Sequence, residues 1–169
     1  MPHDSAIVTH YLLVQQNASV STLSPIIVAK LPSTELFSIL LSHGWDINQR
    51  GTQHGPGGGN HLIDCVYNSA ELVGWCLNHD ASGDEEQYED WYVCPPLLET
   101  VVAMGALSTF KLLHEKGAKT GRRTLHKAVS ASMGSDIEKV RDLVDEVGID
   151  TNEKLPDHWE PPIYFASNR

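Results

Sequence analysis

Apolar residues recur along this chain in two alternating patterns. A short, mostly apolar word appears five times, beginning at Ile26, Leu62, Leu97, Leu125 and Ile163. Successive words begin 36, 35, 28 and 38 residues apart. A period of this size is typical of proteins that stack one supersecondary structure repeatedly. The pattern therefore predicts a stack of helical repeats in place of one globule around a central sheet.

A second apolar run follows each of the first four words. Its apolar residues lie three and four positions apart, which places them on one face of a helix. Three of these runs lead into a glycine, at Gly44, Gly117 and Gly148, that can adopt the left-handed conformation that ends a helix. Each repeat is therefore predicted to be a short helix, a turn, a longer helix and an extended loop.

These signals predict an all-α chain with a single domain over residues 1–169. About four full repeats are expected, with a half-repeat at each end. The expected boundaries are 5–20 for the first half-repeat, then 24–50, 60–82, 95–120 and 123–152 for the full repeats, and 160–169 for the last partial one. Whether that last repeat is truncated stays open.

The pattern resembles the ankyrin repeat, whose unit reads roughly T-P-L-H-x-A, then a helix ending in L-L, then G-A-D-V-N. RTLHKA at 123–128 keeps the Leu, the His and the Ala of the word, while GWDIN at 44–48 and GIDTN at 148–152 match the loop. At 80–82 the sequence DAS replaces G-A-D. The resemblance implies an ankyrin-type helix-turn-helix solenoid. It also implies that His126 bonds between neighbouring repeats and is not a reactive group.

The overall charge limits the classes of partner. The chain has 169 residues, 41% of them hydrophobic, with Lys and Arg 12 against Asp and Glu 22 and a formal net charge of -10. This balance argues against nucleic acid, which needs clustered positive charge. The start lacks a basic segment before its apolar residues, so no secretory signal is expected. No apolar stretch approaches the roughly 18 residues of a membrane span.

The three cysteines indicate a reducing compartment. Cys65, Cys76 and Cys94 form an odd set, and two of them fall inside predicted helices. Such thiols are expected to be reduced and partly buried. The expected location is the cytoplasm, with the nucleus left open.

Two long insertions between repeats attract attention as functional surfaces. In ankyrin-like stacks these connections form hairpins beside the concave face, where partners usually bind. The insertion GDEEQYEDWYVCP carries five acidic residues followed by Trp91 and Tyr92. It is either a docking patch for a basic partner or a solvated loop whose aromatic residues fold back on the stack. The other insertion, with HGPGGGNH at 54–61, lacks the Gly-Lys-Ser/Thr of a phosphate loop, and its composition predicts a flexible hairpin tip.

Basic residues concentrate around the third hairpin. Six of the twelve lie between residues 111 and 127: Lys111, Lys116, Lys119, Arg122, Arg123 and Lys127. This patch could attract an acidic peptide or a small anion, or it could neutralise the acidic loop. The sequence leaves both interpretations open.

The preferred hypothesis is an intracellular interaction module, a scaffold that binds a protein partner on its hairpin tips and concave face. Aromatic residues and Arg carry most of the binding energy in many interfaces. The predicted partner contacts are Trp45, Asp46, Trp91, Tyr92, Arg122 and Arg123.

The alternative hypothesis is a small enzyme acting on a hydrophobic metabolite as an isomerase, cyclase or hydrolase. Such an enzyme needs an acid and a base within hydrogen-bond reach. The candidate groups stand at or before the first helices of successive repeats: His54, His61, Asp64, Glu99 and His126. No cofactor is expected. No metal is expected either, because Cys76 and His79 have no second pair with ligand spacing.

Overall fold

The computed structural model describes most of the chain as short helices. The described residues are 2–31, 33–51, 61–82, 96–130, 137–153, 155 and 160–167, with side chains from residue 6 onward. Across these ranges the regular structure is helical and contains no β-strand. The predicted all-α class is therefore confirmed for the part of the chain that the structure describes.

The chain divides into two compact units, Met1–Cys94 and Pro95–Arg169. The helices of the N-terminal unit are α1 (Pro2–Gln15), α2 (Pro25–Val28), α3 (Thr34–Ser42), α4 (Leu62–Cys65) and α5 (Ala70–Leu77). The helices of the C-terminal unit are α6 (Leu97–Met104), α7 (Leu107–Glu115), α8 (Thr124–Ser130), α9 (Ile137–Arg141) and α10 (Pro162–Ser167). A π-helical turn at Asp142–Glu146 continues α9.

Each range predicted to hold a full repeat contains a helix pair. The pairs are α2 with α3, α4 with α5, α6 with α7, and α8 with α9 and its π-helical turn. The range 160–169 contains α10, and α1 covers most of the first half-repeat.

The helices of the N-terminal unit pack through the apolar stripes seen in the sequence. In this unit α1 packs on α3, α2 on α4, and α4 on α5. Phe37, Leu62, Ile63 and Val73 are completely buried there. In α3 and α5 the buried residues lie three and four positions apart, as Phe37 and Leu40 and Leu72 and Cys76 do, which places them on one face of each helix.

One helix of this unit has apolar residues on both its inner and its outer face. Ala6 and Leu13 of α1 are buried, whereas its outer face exposes Ile7, Val8, Tyr11, Leu12 and Val14. No helix among the described residues is long and apolar enough to cross a membrane.

The C-terminal unit is organised around α6 and α8. In this unit α6 packs on α7 and on α8, α8 packs on α9 and on α10, and α7 packs on α9. Leu98, Val101, Phe110 and Leu143 are completely buried between these helices. In both repeats of this unit the word supplies one helix and the second run supplies a helix packed against it.

The longer helices end in the same backbone conformation. Gly44, Gly117 and Gly148 have φ of 84°, 75° and 77°, as predicted from their positions. Asp80 has φ of 59° and takes the same place in the repeat that lacks a glycine. Left-handed backbone suits glycine and, less well, Asp or Asn. The helix-ending signal therefore persists where the glycine is lost.

A backbone hydrogen bond closes each of these ends. The amides of Trp45, Ala81 and Ala118 donate to carbonyls five residues earlier, each at 3.0 Å. After α9 the corresponding bond, from Ile149 to Leu143, spans six residues at 3.1 Å. The extra residue follows from the π-helical turn, which is wider than an α-helical one.

Candidate functional site

Several predicted contact and catalytic residues lie outside the described residues. They include the catalytic candidate His54 and the acidic insertion with Trp91 and Tyr92. The remaining candidates can be followed one by one.

Trp45 and Asp46 hold the loop after α3 in shape. The Trp45 side chain is 3% exposed, and its Nε1–H donates to the Leu23 carbonyl oxygen at 3.0 Å. The exposed Asp46 accepts the backbone N–H of Asn48 through Oδ1 at 2.9 Å. A buried indole has no surface for a partner, so Trp45 stabilises the loop. The sequence showed an aromatic residue in a loop and gave no signal of the carbonyl that it bonds.

The two arginines before α8 have different environments. Arg122 is exposed, whereas Arg123 is 5% exposed. Only Arg122 of this pair therefore faces solvent, and Arg123 belongs to the polar interior of the C-terminal unit.

His61 and Asp64 begin helix α4. The Asp64 Oδ2 accepts the backbone N–H of His61 at 3.0 Å, which completes a capping box at the start of the helix. His61 is itself buried. The Asp64 carboxylate, a candidate acid or base, thus accepts a hydrogen bond at the start of α4.

The two described cysteines are poor nucleophiles. Burial raises the pKa of Cys65 to about 11, with a further contribution from the Asp64 charge. Burial alone raises the pKa of Cys76 to about 12. Both thiols stay protonated near neutral pH, which agrees with the predicted reduced, partly buried state.

Glu99 stands at the same place in its repeat as Asp64, but it bonds differently. It is 2% exposed on the first turn of α6, which follows Pro96. Because proline has no N–H, Glu99 cannot close a capping box there. Its carboxylate instead accepts the backbone N–H of Arg123.

Burial determines the ionisation of Glu99. It raises the pKa of the carboxyl, against the opposing effects of the Arg123 charge and backbone N–H and of the Lys127 charge. Gly121 lies so close that a Cβ there would collide with Glu99 Oε2. Glu99 is therefore a buried residue of α6 whose carboxylate bonds the backbone at the start of α8.

His126 is buried in the same unit. Its side chain is 1% exposed, and Nε2 lies 3.1 Å from the Glu160 carbonyl oxygen. Burial lowers the pKa of His126, so the neutral ring with its proton on Nε2 can donate to this carbonyl. The bond joins the fourth word to Glu160, three residues before the fifth word.

The described catalytic candidates do not converge within either unit on an open cleft. His61 and Asp64 belong to the N-terminal unit, and Glu99 and His126 to the C-terminal one. Each is buried or serves a helix end. Over the described ranges, no three His, Cys, Asp or Glu residues are grouped as metal ligands.

The surface feature that the sequence did not predict is an apolar groove in the C-terminal unit. Its volume is about 310 Å³. Helices α8, α9 and α10, the π-helical turn and the loop after it supply its lining: Leu125, Val129, Ile137, Val140, Val144, Thr151, Pro162, Ile163 and Ala166. Ile137 and Ile163 are 65% and 70% exposed. The sequence did show the stripe of Ile137, Val140 and Val144, but a stripe in the core has the same spacing.

No model of a known protein family matches the chain, and no curated protein shows significant sequence similarity to it.

Proposed function

We propose that the chain is an ankyrin-type interaction module that binds a helical segment of a partner protein in the groove of its C-terminal unit. The observation that carries this proposal is the groove itself, which is open, apolar and about 310 Å³ in volume and is formed by three helices. Open apolar surfaces of this kind mark binding sites more often than do scattered apolar residues. The cytoplasmic location stays a prediction from the sequence.

The composition of the groove favours a helix as the ligand. Thr151 is the one polar residue among the lining residues. A site for a small hydrophobic molecule or metabolite usually has several placed polar groups that orient the ligand. A groove with almost none suits the apolar face of an amphipathic helix, which needs contact area and little hydrogen bonding.

The exposed isoleucines supply much of the expected binding energy. Ile137 and Ile163 both expose most of their side chains and both line the groove. Covering each of them with an apolar partner would contribute about 1 kcal/mol.

The ankyrin-type assignment draws support from the loops as well as from the words. Asn48 and Asn152 each donate a backbone N–H to the aspartate two residues earlier, at 2.9 Å in both loops. The words GWDIN and GIDTN therefore fold into the same turn in two different repeats. Together with the shared left-handed helix ends, this favours one structural repeat used throughout.

The contacts first predicted from the sequence need a new placement under this proposal. The buried Trp45 and Arg123 support the fold, and the exposed Asp46 shapes a turn. Arg122 is exposed and stays available to a partner. The enzyme hypothesis gains no specific support from the described residues, since its candidate groups there are buried or cap a helix.

A peptide selection tests the proposal. Helical peptides would be selected against the full chain from a displayed library and measured again with two variants. Ile163→Asp places a charge in the groove, and Ile27→Asp makes the same change at a residue of α2 that is 51% exposed in the N-terminal unit. We expect Ile163→Asp to weaken binding at least about tenfold, because a buried charge is costly at an apolar contact.

The control decides the outcome. Ile27→Asp should leave the affinity unchanged within about twofold. Circular dichroism must show that both variants keep their helix content. Failure to select any helical ligand, or equal weakening by the two variants, would overturn the proposal.

A further inference from the structure

The chain around the groove is rich in carboxylates, and this bears on which helix the groove would accept. Residues 137–153 and 160–167 contain seven acidic side chains and two basic ones, Lys139 and Arg141, while α8, which also lines the groove, adds Lys127 and no acidic residue. The acidic residues are Glu138, Asp142, Asp145, Glu146, Asp150, Glu153 and Glu160.

One of the two cations contributes little at the surface. Lys139 is buried, and its Nζ donates to the carbonyl oxygens of Gly105 at 2.7 Å and Val101 at 3.4 Å. Its charge is therefore directed at the end of α6. Arg141 is the basic residue that remains exposed within these two ranges.

Several of the acidic residues flank lining residues in the chain. Asp145 follows Val144, Asp150 precedes Thr151, and Glu160 stands two residues before Pro162. All three acidic residues are exposed, as is Glu153. Exposed carboxylates are thus neighbours in the chain of lining residues on more than one of the segments that form the groove.

We infer, on the basis of the proposed function, that the groove binds a basic amphipathic helix of a partner protein. The apolar face of that helix packs on the lining, and its Lys and Arg side chains lie over the flanking carboxylates. Complementary charge of this kind raises the association rate and selects among partners more than it raises affinity. Exposed charges are also screened by salt.

A second copy of the chain is a poorer occupant. The chain has a formal net charge of -10, so two copies repel each other. Helix α1 exposes an apolar outer face of five residues, but its sequence PHDSAIVTHYLLVQ contains neither Lys nor Arg. It cannot supply the cations that the carboxylates around the groove would attract.

Two synthetic peptides test this inference with the full chain. Both are capped at their ends and about 18 residues long, which is enough for helix formation when the sequence favours it. They share one apolar stripe, and their remaining positions are Lys and Ala in one peptide and Glu and Ala in the other. We expect the Lys peptide to bind at least about tenfold more tightly at low salt, and this preference to shrink at high ionic strength.

A matched pair of double variants separates local from overall charge. Glu153→Lys with Glu160→Lys reverses two carboxylates beside the groove. Glu35→Lys with Glu71→Lys reverses two exposed carboxylates on α3 and α5 and changes the net charge equally. The first pair should remove most of the preference for the Lys peptide, and the second should keep most of it.

The outcomes distinguish this inference from the proposal beneath it. If both peptides bind equally and Ile163→Asp weakens both, the groove is a helix site without charge selection, and the inference is wrong. If neither peptide binds, the inference is overturned, and failure of the library selection as well would remove the proposed function. Concentration-dependent dimers lost in Ile163→Asp would show instead that a second copy occupies the groove.

Discussion

The two compact units differ in how their helices begin and in the charged side chains that they bury. In the N-terminal unit, α3 and α5 begin at Ser33 and Ser69, whose hydroxyls accept N–H groups of the first turn at 3.4 and 3.3 Å. At α4 the bond runs the other way, because Asp64 in the first turn accepts the backbone N–H of His61, the residue before the helix. These bonds are local, joining residues three apart in the chain.

The C-terminal unit has no such side-chain caps at α6 and α7, which follow Pro96 and Ala106. Its polar side chains are instead buried and connect helices that are distant in the chain. Glu99 bonds the start of α8, and Lys139 bonds the end of α6 across 34 and 38 residues.

Helices that follow the same sequence pattern are therefore stabilised in two ways, by local side-chain caps in one unit and by buried charged side chains in the other. Local caps can be lost one at a time, each at about 1 kcal/mol. A buried polar group also requires that its partners stay in place, because its desolvation must be compensated. We therefore expect loss of a helix cap in the N-terminal unit to cost less than loss of a buried charged side chain in the C-terminal unit.

Lys139→Met is the largest test of this comparison. It removes the ammonium from the Gly105 and Val101 carbonyl oxygens but keeps a long apolar side chain. We expect the free energy of unfolding to fall by about 2 kcal/mol, the usual cost of losing a buried hydrogen bond to a charged group. Denaturant unfolding followed by circular dichroism measures it.

Lys111→Met is the matched control. Lys111 pairs with Glu138 at 3.7 Å, and both side chains are more than half exposed. Exposed pairs contribute little, so the cost should stay below about 0.5 kcal/mol. Equal costs for the two lysine variants would remove the distinction between buried and exposed polar groups.

Glu99→Gln tests the same comparison through pH. Burial raises the pKa of Glu99 above its ordinary value of 4.5, so the folded state holds this proton more tightly than the unfolded state does. The stability that protonation contributes is complete below pH 4.5 and is lost as pH rises through the folded-state pKa. Glutamine keeps an acceptor for the Arg123 N–H and does not ionise.

We therefore expect Glu99→Gln to gain stability relative to the wild type as pH is raised from 4 to 7. Denaturant unfolding at several pH values measures this difference. Glu71→Gln, which removes one exposed carboxylate from the first turn of α5, is the control for a simple change of charge. A relative loss of stability for Glu99→Gln over this range would show that Arg123 and Lys127 outweigh the burial.

Sequence reasoning was accurate where structure is decided locally. The period of the words placed the helices, and Gly44, Gly117 and Gly148 adopt the predicted conformation because few other residues reach it easily. The burial of Trp45, Arg123 and Lys139 could not be predicted in the same way. It depends on carbonyls and carboxylates that are 22 to 38 residues away in the chain.

The groove was missed for a related reason. Ile137, Val140 and Val144 repeat at the helical spacing of any buried stripe, and their partial exposure follows from what packs on α9. Periodicity identifies a face but does not tell whether another element covers it.

The smallest effect is expected at the ends of the longer helices, where both units use a residue with left-handed backbone conformation. Asp80 holds φ of 59° at the place where the other three described repeats have glycine. Asp80→Gly should therefore raise the free energy of unfolding by about 0.5 kcal/mol, because glycine adopts this conformation without strain. The reverse change, Gly44→Asp, should lower it by a similar amount, since open space surrounds Gly44 and only backbone strain is added. Thermal unfolding of both variants measures the pair. If Asp80→Gly is instead destabilising, the Asp80 side chain contributes more than its strained backbone costs, and the helix ends would join the features that differ between the units.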